Sequence, residues 1–295
     1  METFGLQLSN GAIVAGIYSS PPASASSLKY RPLIIGLHGG SYNCRYFDAM
    51  DTHTARIPSS AFGVPFAAID RPGYGGSTSL IVPEGSDFPQ ETGRWLHNFI
   101  LPVLWAEIGI PAGCNCVVLL SHSHGVMGCI VAAALHGLDS NESYPLGGII
   151  ASGLGGQFTN EIFENRLPTV PVPANRVLMS AEEKDKLLLR PGSCHPEIFA
   201  LGDDLNVTSP LAECESLYTF WTQVWRQKWT PHIIAPVLFA LADRDCYFEG
   251  TDEHVASCVA AFTRSIRAEG SLIKGAPHCM ELSYVLTLDF CTTSR

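Results

Sequence analysis

The chain has 295 residues, 46% hydrophobic and 16% charged. That is long for one average domain and short for two independent ones, and the apolar content excludes a disordered chain. A formal net charge of −10 argues against a nucleic-acid partner, because phosphate binding needs clustered Lys and Arg; it suits a soluble protein handling neutral or weakly charged small molecules.

The first segment, FGLQLSNGAIVAGIY, alternates about Ser9-Asn10-Gly11 and predicts a hairpin. The N-terminus lacks a basic stretch followed by a clean apolar run, so no signal peptide is expected. Ser19 to Ser27, rich in Ser, Pro and Ala, reads as a loop. RPLIIGLHGG then gives a continuous apolar run ending in glycines, which suits a central parallel strand covered on both faces. VPFAAID (residues 64–70) is a second such strand, and RPGYGGS after it is a loop. A helix-like stretch from about Gln90 to Ile108 leads to a third strand in CVVLLSHSHG, expected to end at Ser121, and GVMGCIVAAALHG continues as a helix. LGGIIASG (146–153) and APVLFALAD (235–243) add two more strands. Strands alternating with helical segments predict an α/β chain with a mostly parallel central sheet flanked by helices.

Between about Gln157 and His232 that alternation stops. The region holds LPTVPVP, the charged patch SAEEKDKLLLR, the loop RPGSCHPE and the aromatic segment LYTFWTQVWRQKW, with no obvious strand. This predicts a mainly helical lid at 157–232, dividing the core into 1–156 and 233–295. The plainer alternative is a pair of sheet-covering helices with long loops.

Several of the ten cysteines, among them Cys116, Cys129 and Cys258, sit in apolar segments and read as buried free thiols. Cys114 and Cys116 lack the spacing of a zinc site, and no His, Cys and carboxylate cluster has metal-ligand spacing. No apolar run reaches the length of a membrane span, and the final TTSR is not a peroxisomal address. The expectation is a cytoplasmic protein without metal or cofactor.

The chemistry concentrates in Leu119-Leu120-Ser121-His122-Ser123-His124-Gly125, where a buried strand runs into a turn with Ser123 at its apex and a helix follows at once. This resembles the G-x-S-x-G nucleophile elbow of the α/β hydrolases, with Ser121 in place of the first glycine. Further resemblances to that family follow in its order. His38-Gly39-Gly40-Ser41 is similar to its oxyanion loop, and Asp70-Arg71-Pro72-Gly73-Tyr74-Gly75-Gly76-Ser77 to the D-x-P-G-x-G-x-S loop of its peptidase, esterase and dehalogenase-like branches. The strand Pro236–Ala242 resembles the one that carries the acid, with the register pointing to Asp245 and Asp243 as its rival. Leu272-Ile273-Lys274-Gly275-Ala276-Pro277-His278 resembles the last-strand loop that carries the base. Together these cover about Pro32 to Leu282.

The resemblance implies the α/β-hydrolase fold and a triad of Ser123, His278 and Asp245, with the backbone N–H groups of Gly40 and His124 as oxyanion donors. His122 and the His124 ring read as packing or pocket-lining groups. Gly39, Ser41, Tyr218, Trp221 and Trp225 are candidate substrate contacts, the aromatics at helix-like spacing; their alternative is packing on the core. The implied activity is hydrolysis of an ester, lactone or similar acyl bond in a small, largely apolar molecule, such as a natural product being tailored. The fold also hosts C–C cleavage, lyase, acyl-transfer and cyclisation chemistry, and non-catalytic ligand-binding relatives. The expected partner is a small-molecule substrate, with self-association as a homodimer left open.

Overall fold

The computed structural model describes residues 1–26, 29–141, 143–164, 169–170, 172 and 175–285. The end of the Ser19–Ser27 loop, most of LPTVPVP and the terminal TTSR lie outside the described residues.

The apolar runs form a single sheet of β1 (Glu2–Gln7), β2 (Ile13–Ser19), β3 (Pro32–Leu37), β4 (Phe66–Ile69), β5 (Cys116–His122), β6 (Leu146–Ser152), β7 (Val237–Arg244) and β8 (Ala268–Pro277). Their spatial order is β1-β2-β4-β3-β5-β6-β7-β8. The hairpin β1–β2 and the β2–β4 pair are antiparallel, and every other pair is parallel. Gly11, at φ 84°, takes the left-handed position that the hairpin turn requires. The parallel strands are buried because helices cover them: Leu33, Ile35, Leu37, Val117 and Leu119 have no exposed surface.

The helix His124–Leu138 is buried from its first residue to Ala134, in keeping with an apolar composition all round. A longer helical run over residues 88–109, in which α turns alternate with wider π turns, packs across it. β3 lies between β4 and β5, so the chain reverses its direction of travel through the sheet there. Open α/β sheets bind ligands outside the carboxyl ends of the strands at such a point. Leu37 pairs with Ser121 across β3 and β5, so the turns that follow each strand emerge side by side.

The segment between β6 and β7 holds the helices Ala181–Leu188, Pro196–Ala200 and Leu211–Ser216, the last continuing through a π turn into Thr222–Lys228. It also holds three short antiparallel strands, Thr169–Val170, Arg176–Met179 and Ser209–Pro210, where no strand was expected. Strands this short carry too few residues to show an alternating pattern. The described cysteines are free thiols, and burial pushes Cys129 up to about 12. No helix among the described residues is long and apolar enough to cross a membrane.

Candidate active site

Strand β5 ends at His122 and the next helix begins at His124, leaving Ser123 alone in the turn at φ 50° and ψ −124°. That backbone region is sparsely populated for a residue with a side chain and costs about 1–3 kcal/mol to hold. The surrounding packing enforces it. A Cβ on Gly125 would lie 2.5 Å from the Leu37 carbonyl oxygen and 2.7 Å from that of His38, so only glycine lets the helix start this close to β3. At the position before the turn Ser121 is fully buried and its hydroxyl donates to the Ile150 carbonyl at 3.0 Å. A small side chain whose one polar atom is satisfied by the neighbouring strand therefore fills the place usually taken by glycine.

The loops after β7 and β8 bring two further groups to Ser123. His278 Nε2 lies 3.0 Å from Ser123 Oγ, and His278 Nδ1 lies 2.9 Å from each carboxylate oxygen of Asp245. Asp245 Oδ1 also accepts the Tyr247 and Phe248 N–H groups at 2.7 and 3.3 Å, which fixes the carboxylate in the loop. Asp245 is buried and acceptor-only when ionised, so the imidazole proton sits on Nδ1 and Nε2 is left to accept the serine proton. Asp243 is turned elsewhere and accepts the Gly275 N–H at 2.7 Å, bracing the loop that delivers His278.

The turn after β3 closes the site from the other side. A Cβ on Gly40 would come within 2.7 Å of His124 Nδ1, and one on Gly39 within 3.2 Å of Ser123 Cβ. His124 opens its helix, so its N–H belongs to the first turn, where no intrahelical partner exists. Arg71 holds the turn in place: Nε donates to the His38 carbonyl at 2.6 Å and Nη2 to the Gly39 carbonyl at 3.2 Å. The guanidinium is paired with Glu213, both groups being almost wholly buried, and the Tyr74 hydroxyl also donates to Glu213. His124 Nδ1 stands 3.6 Å from the same carboxylate. Burial alone raises a carboxyl, yet the Arg71 charge, with the nearby His124 ring, pulls Glu213 well below the usual carboxylate range. Sequence reading missed this cluster. Arg71 lies inside a recognised loop, but Glu213, in the unremarkable LAECES, carried no signal.

A cavity of about 20 Å³, room for little more than one water, lies over Ser123. Gly39, Gly40, Tyr42, His122, His124, Tyr247, His278 and Cys279 line it, together with Met179 and Leu188 from the segment between β6 and β7. Four of the expected substrate contacts are not in this wall. Ser41 is buried and its N–H donates to the Ser209 hydroxyl at 2.8 Å. Trp221 and Trp225 are fully buried, and Trp225 lies parallel to Phe239 of β7 with ring centroids 6.1 Å apart. Tyr218 stacks on Phe158 at 5.6 Å. Trp221 and Trp225 of the aromatic stripe face the core, while Tyr218 is exposed on one side and stacked on Phe158 on the other. Among the described residues no group of three or more His, Cys, Asp or Glu is placed to hold a metal ion.

No family model matches the chain, and no curated protein matches it in sequence. Solved structures do match. A soluble variant of monoglyceride lipase from Saccharomyces cerevisiae, in complex with a substrate analog, superposes with a TM-score of 0.66 at 14% identity, over 98% of this chain and 91% of that one. A highly thermostable carboxyl esterase from Bacillus coagulans gives 0.60 at 17% identity, over 94% and 92%. An E-2-(acetamidomethylene)succinate hydrolase gives 0.58 at 15% identity, over 99% and 98%. At such identities the likeness establishes the fold, and the fold of this chain is that of the α/β hydrolases.

Proposed function

We propose that the protein is a serine hydrolase that cleaves an ester, lactone or related acyl bond in a small, largely apolar molecule. The observation that carries this reading is the hydrogen-bonded run from Asp245 through His278 to Ser123, ending on a serine held in a strained turn. In this reading His278 Nε2 takes the hydroxyl proton as Ser123 Oγ attacks the carbonyl carbon, and Asp245 stabilises the imidazolium that forms. The Gly40 and His124 N–H groups receive the developing oxyanion; one such donor is worth about 3 kcal/mol of transition-state stabilisation. His278 then returns the proton to the departing oxygen, leaving an acyl-serine. A water that gives its own proton to His278 attacks this ester, and the acid leaves as Ser123 regains its hydrogen.

Residues 157–232 act as a lid in this account. Their Met179 and Leu188, with Tyr42 and Tyr247, supply the apolar surface that favours an apolar acyl chain. The small cavity suits a lid at rest, which moves to admit substrate.

Intact mass after incubation with a fluorophosphonate tests the reading. One adduct is expected on the wild type and none on Ser123→Ala. A folded wild type that takes no adduct overturns it. Turnover in ¹⁸O-water then separates hydrolysis, which places label in the acid, from lyase or cyclase chemistry, which does not.

A further inference from the structure

A second imidazole beside the proposed nucleophile is tied to a second buried carboxylate. His122 is 1% exposed, and its ring centroid lies 5.0 Å from that of His278. Its Nδ1 stands 3.2 Å from Glu281 Oε2 and 3.1 Å from Ser152 Oγ. Glu281 accepts the Ser152 hydroxyl at 2.5 Å and the Tyr46 hydroxyl at 2.7 Å. The Ser152 hydroxyl has acceptors in Glu281 and, at 3.2 Å, the Ser121 carbonyl, so its proton points away from His122 and the serine oxygen is left as an acceptor for the ring. An ionised carboxylate is likewise acceptor-only. Both neighbours place the His122 proton on Nδ1 and a lone pair on Nε2. Burial, and then the nearby His278, hold this ring well below the ordinary histidine pKa, so it stays neutral.

Nε2 is buried and has no hydrogen-bond partner among the described residues. The ring belongs to the wall of the cavity over Ser123, and its Nδ1 edge is the one committed to Glu281 and Ser152. A Cβ on Gly39 would stand 3.1 Å from His122 Cδ2 and 3.2 Å from Ser123 Cβ. The imidazole, the serine and the proposed oxyanion turn therefore meet at one place. In the proposed mechanism the scissile carbonyl sits between Ser123 and that turn, and His122 is part of the wall around it.

We propose that His122 reads the substrate, its Nε2 accepting a hydrogen bond from a hydroxyl that the acyl group carries close to the scissile carbonyl. The substrate class is then hydroxyacyl esters or lactones rather than plain acyl esters. This rests on the serine-hydrolase reading above. A buried acceptor left bare by an unsubstituted acyl chain is penalised, and the hydroxyl relieves that penalty.

The test compares kcat/KM for the p-nitrophenyl esters of butyrate, 3-hydroxybutyrate and 3-methoxybutyrate, each divided by its hydroxide-catalysed rate. Fluorophosphonate labelling of Ser123 is followed in parallel. The expected result is a preference of roughly tenfold to a hundredfold for the hydroxy ester over both others. The ratio should fall to about one in His122→Phe and be partly kept in His122→Gln, whose amide reaches the Nε2 position. Only variants that still label are compared; if neither does, the wild-type series decides. A labelled wild type without a hydroxyl preference overturns the proposal. So does a preference that survives unchanged in His122→Phe, or one shared by the methoxy ester, which offers no donor. A wild type that neither labels nor turns over any ester brings down the hydrolase reading, and this proposal with it.

Discussion

Two aspartates stand two residues apart at the end of β7, and what each one holds separates them. Asp245 is buried, accepts two backbone N–H groups and meets the His278 imidazole edge-on through both oxygens. Asp243 spends an oxygen on the Gly275 N–H and does not reach the imidazole. In the proposed mechanism Asp245→Asn replaces an acceptor with an amide that favours the wrong histidine tautomer, and kcat should drop by about 10⁴. Asp243→Asn keeps an amide oxygen for Gly275, so kcat should change by less than about tenfold, the loss of one weak neutral bond. Steady-state kinetics of the two variants check this, and equal losses would show that the acid is misassigned. The sequence left the two open because strand and loop place them only one turn of the chain apart. The choice belongs to the irregularity of β7 between Ala242 and Arg244, where its pairing with β8 shifts register.

At the scale of elements, a buried ion pair helps to fasten the segment between β6 and β7 to the site. Glu213 at the start of its aromatic helix holds Arg71, and Arg71 holds the carbonyls of His38 and Gly39. Removing one partner of a buried pair leaves the other uncompensated, so Glu213→Gln should lower unfolding stability by roughly 3 kcal/mol. It should also loosen the turn bearing Gly40 and reduce kcat by about a hundredfold with KM little altered, since only the transition state uses that turn fully. Urea unfolding and steady-state kinetics read the two effects; an unchanged kcat would mean that Arg71 keeps its grip without the carboxylate. No local pattern reveals this contact, which joins residues 142 positions apart. The aromatic stripe shows the complementary limit. Its spacing correctly identified an apolar helix face, but periodicity does not say whether such a face meets a ligand or the core. Trp221 and Trp225 meet the core. The buried strands were legible because a central parallel strand is a short run apolar on both faces, as LIIGL is between Pro32 and Gly39 and VVLL is between Cys116 and Ser121. His122 was visible only as a neighbour of Ser123, since its partner Glu281 approaches from the far end of the chain.

At the scale of the whole molecule, this interior encloses titratable groups, and their shifts set how stability responds to pH. His38 and His122 are both buried and held well below the ordinary histidine value, chiefly by burial, with Arg71 adding to the effect on His38 and His278 to that on His122. His97 and His254 shift in the same direction. In the unfolded chain these side chains titrate near 6.5. Once pH falls below that value the unfolded state binds protons that the folded state refuses, so stability decreases as pH drops. Each fully buried histidine contributes up to about 1.4 kcal/mol per pH unit. Glu281 works the other way: burial raises its carboxyl, the folded chain takes up that proton first, and the stability so gained offsets part of the loss at lower pH. Glu213, depressed by its ion pair, adds a further loss only below the ordinary carboxylate range. The expected profile is flat between pH 7 and 8, then falls by roughly 2 kcal/mol between pH 6.5 and 5.5 as His38 and His122 oppose protonation together. Urea midpoints collected across that range measure it, and His38→Gln should remove about half of the slope if it still folds. A midpoint constant from pH 7.5 to 5.5 would mean that the folded chain accepts these protons, which the packing around His38 and His122 leaves no room to solvate.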